Sequence, residues 1–262
     1  MTRVAEAKSI KSAQRVFEVL EYFDADHQEA SVTDICRRYG YPQSSASELL
    51  SYMVHLGYLR RGTRGRNFRL SMRVAMLGAW VEPELVRNGK LLGMMDEIAD
   101  RTGCTVVVAT NSRVHVRCLH VVARDDNAPH QGADLPLLKS AEGLALLLTT
   151  DRGLVRKYVH RLNADEDQDR VRFEVLAAEL DASSARGYVR YSEGGEDHFS
   201  ILLPTRDRGE QLSLCVRAPA GINESSVIQI IRQVVSRSLG LMSVPAALPP
   251  GEVMPRRHAG MD

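Results

Sequence analysis

Five arginines, Arg60, Arg61, Arg64, Arg66 and Arg69, fall within ten residues with no acid among them. Fixed positive charge at that density suits the phosphates of a nucleic acid. Just upstream, the decamer PQSSASELLS runs from Pro42 to Ser51. It offers Gln43, Ser44, Ser45, Ser47 and Glu48 on positions left over by an apolar stripe. Short hydroxyl side chains let a helix approach base edges, and an amide can bond adenine at two atoms. A carboxylate repels phosphate but accepts from cytosine N4, so Glu48 is a candidate base reader rather than a backbone grip. The first backbone N–H groups, near Gln43 and Ser44, can meet a phosphate. Taken singly, a solvated helix face and a charged hairpin are ordinary features; side by side they point to double-stranded DNA.

A second group of residues could hold a small molecule. Ser140 reads as a helix N-cap, which leaves the N–H groups of Ala141, Glu142 and Gly143 to face a carboxylate. Strand alternation puts His198, Ser200 and Leu202 on one face, with Ser213, Cys215 and Arg217 together on the next strand. Glu142 is expected at the pocket mouth, opposing an anion unless Arg217, His198 or Arg124 offsets it, or else simply steadying the helix N-terminus. In HVRCLH, alternation places Cys118 and His120 on one strand face and His115 on the other. Such lone strand histidines are read as structural, and no metal site is expected. The chain shows no GxSxG, HExxH, GxGxxG or P-loop pattern, so neither catalytic residues nor a cofactor are assigned.

The whole chain sets the frame for these groups. Its 262 residues suit one small and one medium domain, and 44% hydrophobic with 26% charged residues is a globular composition. Net charge is only +1, yet residues 1–80 hold 12 Lys/Arg against 8 Asp/Glu, so the basic surplus is local. Four scattered cysteines without a CxxC pair, no signal-like N-terminus and no apolar run of about 18 residues predict a reduced, cytoplasmic protein.

The elements that must position the candidate residues follow from periodicity. Ser9 is expected to cap a helix whose inward stripe is Ile10, Ala13, Val16, Phe17, Leu20 and Phe23. VTDICRRYG reads as a short helix with Ile35 and Cys36 inward and Gly40 as its stop. After a Gly-Tyr-Pro turn, Ala46, Leu49, Leu50, Met53 and Leu56 stripe a second helix ending near His55. GYLRR and NFRL are strands around GTRGR, completing a winged helix-turn-helix. Residues 72–82 read as helix, Pro83 interrupts, and helix resumes to Gly103. TVVVATN and VHVRCLHVV are strands; LKSAEGLALLLTT and the run from about 170 to 186 are helices. FSILLPT and QLSLCVR flank the turn RDRGE, and NESSVIQIIRQVVSRSLGLM is a helix capped by Asn223. Sheet with packed helices gives an α+β domain. The last stretch, with four prolines, predicts a disordered tail over 244–262.

Four blocks together resemble the IclR family of bacterial transcriptional regulators: SIKSAQRVFEVLEYF, SVTDICRRYGYPQSSASELLSYMVHLGYLRR, LPLLKSAEGLALL and RGYVRYSEGGEDHFSILLPTRDRGEQLSLCVRAP. The resemblance spans about residues 9–242. It implies a winged helix-turn-helix DNA-binding domain over 1–70, a linker and dimerisation helix over 71–90, and a GAF-like effector-binding domain over 91–243. It also implies a homodimer, or a dimer of dimers, with Ser140, Ala141, Ser200 and Cys215 lining the effector cavity. Two departures stand out: Glu48 where the family commonly has a basic residue, and Glu142 and Leu144 around a glycine that the family often follows with Lys. The expected function is sequence-specific operator binding modulated by a small effector, an aromatic or other organic acid of a catabolic pathway. A DNA-binding dimer without ligand, and a thiol enzyme using Cys104 or Cys118, stay open as alternatives.

Overall fold

The computed structural model describes residues 10–24, 27–62, 65–78, 89–164, 170–204 and 211–240. Ser9, Arg64, Trp80, the RDRGE turn and the proline-rich tail, on which several expectations rest, lie outside them. The chain forms two compact units, Met1–Val81 and Glu82–Asp262.

In the first unit, α1 (Lys11–Glu21) buries Val19, with Val16, Leu20 and Phe23 partly covered. The expected stripe is thus corrected: Ile10 and Phe17 are 70% and 62% exposed, because the helix packs through the side centred on Val19. α2 (Val32–Tyr39) opens with a capping box, in which the Ser31 hydroxyl accepts from Asp34 N–H and the Asp34 carboxylate accepts from Ser31 N–H. Gly40, at φ 69°, ends it in the left-handed region where a Cβ is costly. The turn is pinned to α1: Tyr39 Oη donates to the Glu18 carbonyl at 2.7 Å, Tyr41 donates to the Glu18 carboxylate, and the two rings stack at 5.6 Å. α3 (Gln43–His55) then buries Ala46, Leu50 and Met53, whereas Leu56, expected inward, is its C-cap and 39% exposed.

Strands β1 (Leu59–Arg61) and β2 (Phe68–Leu70) pair antiparallel, and Ala30 bridges to Phe68. α4 (Met72–Leu77) is capped by Ser71 and gives way at Gly78, so the helix expected over 72–82 is described for six residues.

The second unit is built on a six-stranded antiparallel sheet, ordered β5-β4-β3-β8-β7-β6. These strands are β3 (Thr105–Ser112), β4 (His115–Val122), β5 (Asp134–Pro136), β6 (Val189–Glu193), β7 (Glu196–Leu203) and β8 (Leu212–Pro219). Helices α5 (Lys90–Thr102) and α9 (Glu224–Leu239, capped by Asn223) cover one face, contacting Val106, Val108, Leu214 and Val216. On the other face α6 (Ala141–Leu147), α7 (Arg152–Asn163) and α8 (Phe173–Arg186) cover Val107, Ala109, Cys118 and Cys215. Two covered faces explain the unbroken apolar run VVVA in β3. Sequence periodicity missed α7, β5 and β6, whose charged residues mask short apolar patterns.

The register slips between Val108 and Ala109, which oppose His120 and Cys118. Leu119 is the extra residue, and the bulge turns His120 away from Cys118 onto the side that Val108 faces. The expected Cys118–His120 face is therefore corrected; no period-2 pattern can register an inserted residue.

Candidate nucleic-acid interface and effector site

With Ala46, Leu50 and Met53 inward, about 100° of rotation per residue puts Ser44, Glu48, Ser51 and His55 at the centre of the exposed face of α3. Gln43 and Ser47 flank it on one side, Ser45 and Tyr52 on the other. Gln43, Ser44, Ser47 and Glu48 are exposed; Ser45 is half-buried beside a groove it shares with Ser12 and Arg15 of α1. His55 was not singled out from the sequence, although its spacing of seven from Glu48 could have found it. Pro42 supplies no side-chain cap, so the first-turn N–H groups of α3 stay open to water or a phosphate oxygen. Glu48 has no ion-pair partner among the described residues.

The wing is less uniformly cationic than its sequence. Across the β1–β2 register Arg60 faces Arg69, and Arg69 is engaged by the Glu29 carboxylate, which also accepts from Asn67 Nδ2 at 2.9 Å. An arginine run without acids in sequence thus acquires one in space, through the Ala30–Phe68 bridge. Arg61 donates to the Gly65 carbonyl at 3.1 Å and lies over the Phe68 ring. Arg60 and Arg66 are exposed and without an ion-pair partner among the described residues.

In the second unit, the sheet brings most of the predicted effector residues together, but in a closed setting. His198 pairs with Arg217, Ser200 with Cys215 and Leu202 with Ser213 across β7 and β8. Ser140 caps α6, accepting from Gly143 N–H at 3.1 Å and donating to the Pro136 carbonyl at 2.7 Å. Ala141 and Ser200 are buried, and His198 Nε2 lies 3.0 Å from Glu196 Oε2. Glu142, expected at a pocket mouth, is instead 0% exposed. Its Oε1 accepts from Arg217 Nε at 3.1 Å and Nη2 at 2.8 Å, while Oε2 has no hydrogen-bond partner among the described residues. Arg124 is paired with Asp100 instead. Burial is the largest single influence on Arg217 and works to lower its pKa, but the Glu142 charge and hydrogen bond, with the neighbouring cysteines, together raise it, so the guanidinium stays charged. Burial first, then the Glu142 charge, pushes the Cys215 thiol up, and the same causes raise Cys118 to about 11.

α6 sits close because Gly143 lacks a Cβ: one added there would stand 2.1 Å from the Leu137 carbonyl oxygen. The loop so held, with Leu162, Asn163 and Val171, lines a cleft of about 320 Å³ at the sheet edge, with His115 and Lys139 at its polar margin. None of the seven predicted effector residues lines that cleft.

A winged helix-turn-helix, followed in the chain by an antiparallel sheet with helices on both faces, is the class these two units define. Residues 12–62 match the IclR helix-turn-helix domain. The HTH-type transcriptional regulator TsaQ1/TsaQ2 of Comamonas testosteroni is 32% identical over 116 residues, which span 42% of this chain and 42% of that regulator, less than half its length. The crystal structure of an IclR homologue from Microbacterium hydrocarbonoxydans, complexed with 4-hydroxybenzoate, has the same fold. Its TM-score is 0.54 at 24% identity, over 87% of this chain and 99% of that one. The effector domain of an IclR protein from Acinetobacter sp. ADP1 matches 58% of this chain and 94% of its own length, with a TM-score of 0.53 and 18% identity. The chain carries the IclR helix-turn-helix domain and, beyond it, the fold of IclR homologues, so the resemblance seen in its sequence motifs holds.

Proposed function

We propose that this protein is a transcriptional regulator that binds operator DNA through α3 and the wing, under control of a small molecule held in its second unit. The observation that carries this reading is the exposed face of Gln43, Ser44, Ser47 and Glu48 within the matched IclR helix-turn-helix domain, with Arg60 and Arg66 of the wing exposed and without an ion-pair partner among the described residues. Such a division lets base edges be read by short side chains while arginines supply affinity through phosphate contacts. Residues 71–90 join the two units and pair two copies of the chain; the exposed Met72, Met76 and Leu77 of α4 support that role. Effector binding shifts the population of paired arrangements, and with it the spacing of two recognition helices on their half-sites. Among the described residues no helix is long and apolar enough to cross a membrane, in keeping with a cytoplasmic regulator.

A thiol-dependent activity is disfavoured by the geometry. Cys104 and Cys118 are 4% and 1% exposed, and burial raises both pKa values, which starves either sulfur of thiolate. The test of the regulator reading is gel-shift and footprinting on promoter DNA from the protein's own genomic neighbourhood, with excess unrelated competitor. A discrete footprint that survives competitor is expected; binding that is sequence-indifferent and lost with modest salt would overturn it.

A further inference from the structure

The Glu142–Arg217 pair fixes what kind of ligand end this site accepts. Arg217, in the central strand β8 and 14% exposed at its side chain, is the cation that a carboxylate effector would seek. Here that cation is already engaged by Glu142 Oε1 through two N–H groups. The other oxygen, Oε2, is buried and has no N–H or O–H donor among the described residues; only the weakly donating Cys215 thiol stands beside the carboxylate. A buried carboxylate oxygen without a donor is costly, so a group that supplies one gains by more than its contact area. An incoming carboxylate meets the opposite situation, a negative oxygen with no proton to offer and a guanidinium already neutralised.

We infer that the effector of this chain enters the Glu142 site with a hydrogen-bond donor at its buried end, an ammonium, amide or hydroxyl, and not with a carboxylate. The inference rests on the second unit being a ligand sensor as proposed above, and it replaces the organic acid expected from family resemblance. Glu142, in the first turn of α6, is the selecting residue; Arg217 orients it through two N–H groups. Cys215 and Cys118, with raised thiol pKa values, stay protonated beside it and add no competing anion.

The experiment uses the full-length protein and small probes that report the anchor alone: methylammonium, acetamide and acetate, followed by NMR at the amides of Gly143 and Cys215. Methylammonium and acetamide are expected to shift both resonances saturably, with acetate at least tenfold weaker. Glu142→Gln frees Arg217 and should reverse the order, acetate gaining at least tenfold. Acetate binding to the wild type as strongly as the donors overturns the inference, as does an unchanged order in the variant. Silence of all three probes also overturns it, since Oε2 would then be answered only by a fixed water. If Glu142→Gln does not fold, the wild-type ranking decides alone. Operator binding is measured without probes, so a failed footprint and a failed donor preference remain separate results.

Discussion

Gly143→Ala tests the close seat of α6 on the loop before it. A Cβ at 143 would lie 2.1 Å from the Leu137 carbonyl oxygen, 2.7 Å from its carbon and 2.9 Å from its Cα. Ordinary contact begins near 3.5 Å, so helix and loop must part by more than about 1 Å. The loop cannot yield cheaply. Pro136 accepts from Ser140 Oγ at 2.7 Å, and β5 is hydrogen-bonded to β4 through the pairs Val116–Leu135 and His115–Pro136. Overpacking against backbone belongs at the upper end of the usual range, about 3 kcal/mol. For a unit of this size that is a fall in melting temperature of roughly 6–12 °C. Gly93→Ala is the internal control, because Gly93 is also helical but has nothing within 4 Å of its ideal Cβ. That change should be neutral or stabilise by roughly 0.5–1 kcal/mol, as Ala does in a helix interior. Calorimetry on both variants decides: a Gly143→Ala cost below about 1 kcal/mol would refute the close-approach argument.

The remaining predictions concern charge and thiols. Arg60→Ala with Arg66→Ala should lower the slope of log affinity against log salt by about 2, whereas Arg69→Ala, already neutralised by Glu29, should leave it unchanged; equal slopes for both variants would remove the free arginines from the phosphate contacts. Glu48→Arg should raise affinity for unrelated DNA and relax sequence preference, and an undiminished preference would mean that Glu48 reads no base. The Asp34 carboxyl is held below its ordinary pKa by the Ser31 hydroxyl and then by the Ser31 N–H, so its contribution is present at neutral pH and disappears as pH falls through the folded-state value. Asp34→Asn should therefore cost about 1 kcal/mol in urea unfolding at pH 7, and the gap should close below about pH 4; a pH-independent gap would refute the capping assignment. With a pKa of about 11 for Cys118, about one molecule in a thousand is thiolate there at pH 8, so Ellman's reagent should label half-buried Cys36 first and the three buried thiols only on unfolding. Rapid labelling of two or more in the native protein would contradict the burial.

Local chemistry was enough to recognise much of this protein. The Gly40 stop, the Tyr41–Pro42 turn, the α3 stripe as far as Met53, the Ser140 and Asn223 caps, and the shared strand faces of His198, Ser200 and Leu202 and of Ser213, Cys215 and Arg217 all depend on near neighbours or on a period of two, which a sequence displays directly. What escaped were relations between residues far apart in the chain. Glu29 meets Arg69 only because Ala30 bridges to Phe68, and the slip opposite Val108 turns His120 over without altering local composition. Glu142 and Arg217 are 75 positions apart. Spacing could place one on a helix and the other on a strand, but it could not bury them against each other. The chain alone therefore determined that a helix-turn-helix, a basic wing and an α+β domain are present. Tertiary packing decided which of those charges remain available, because burial and pairing are set by what the folded chain brings near.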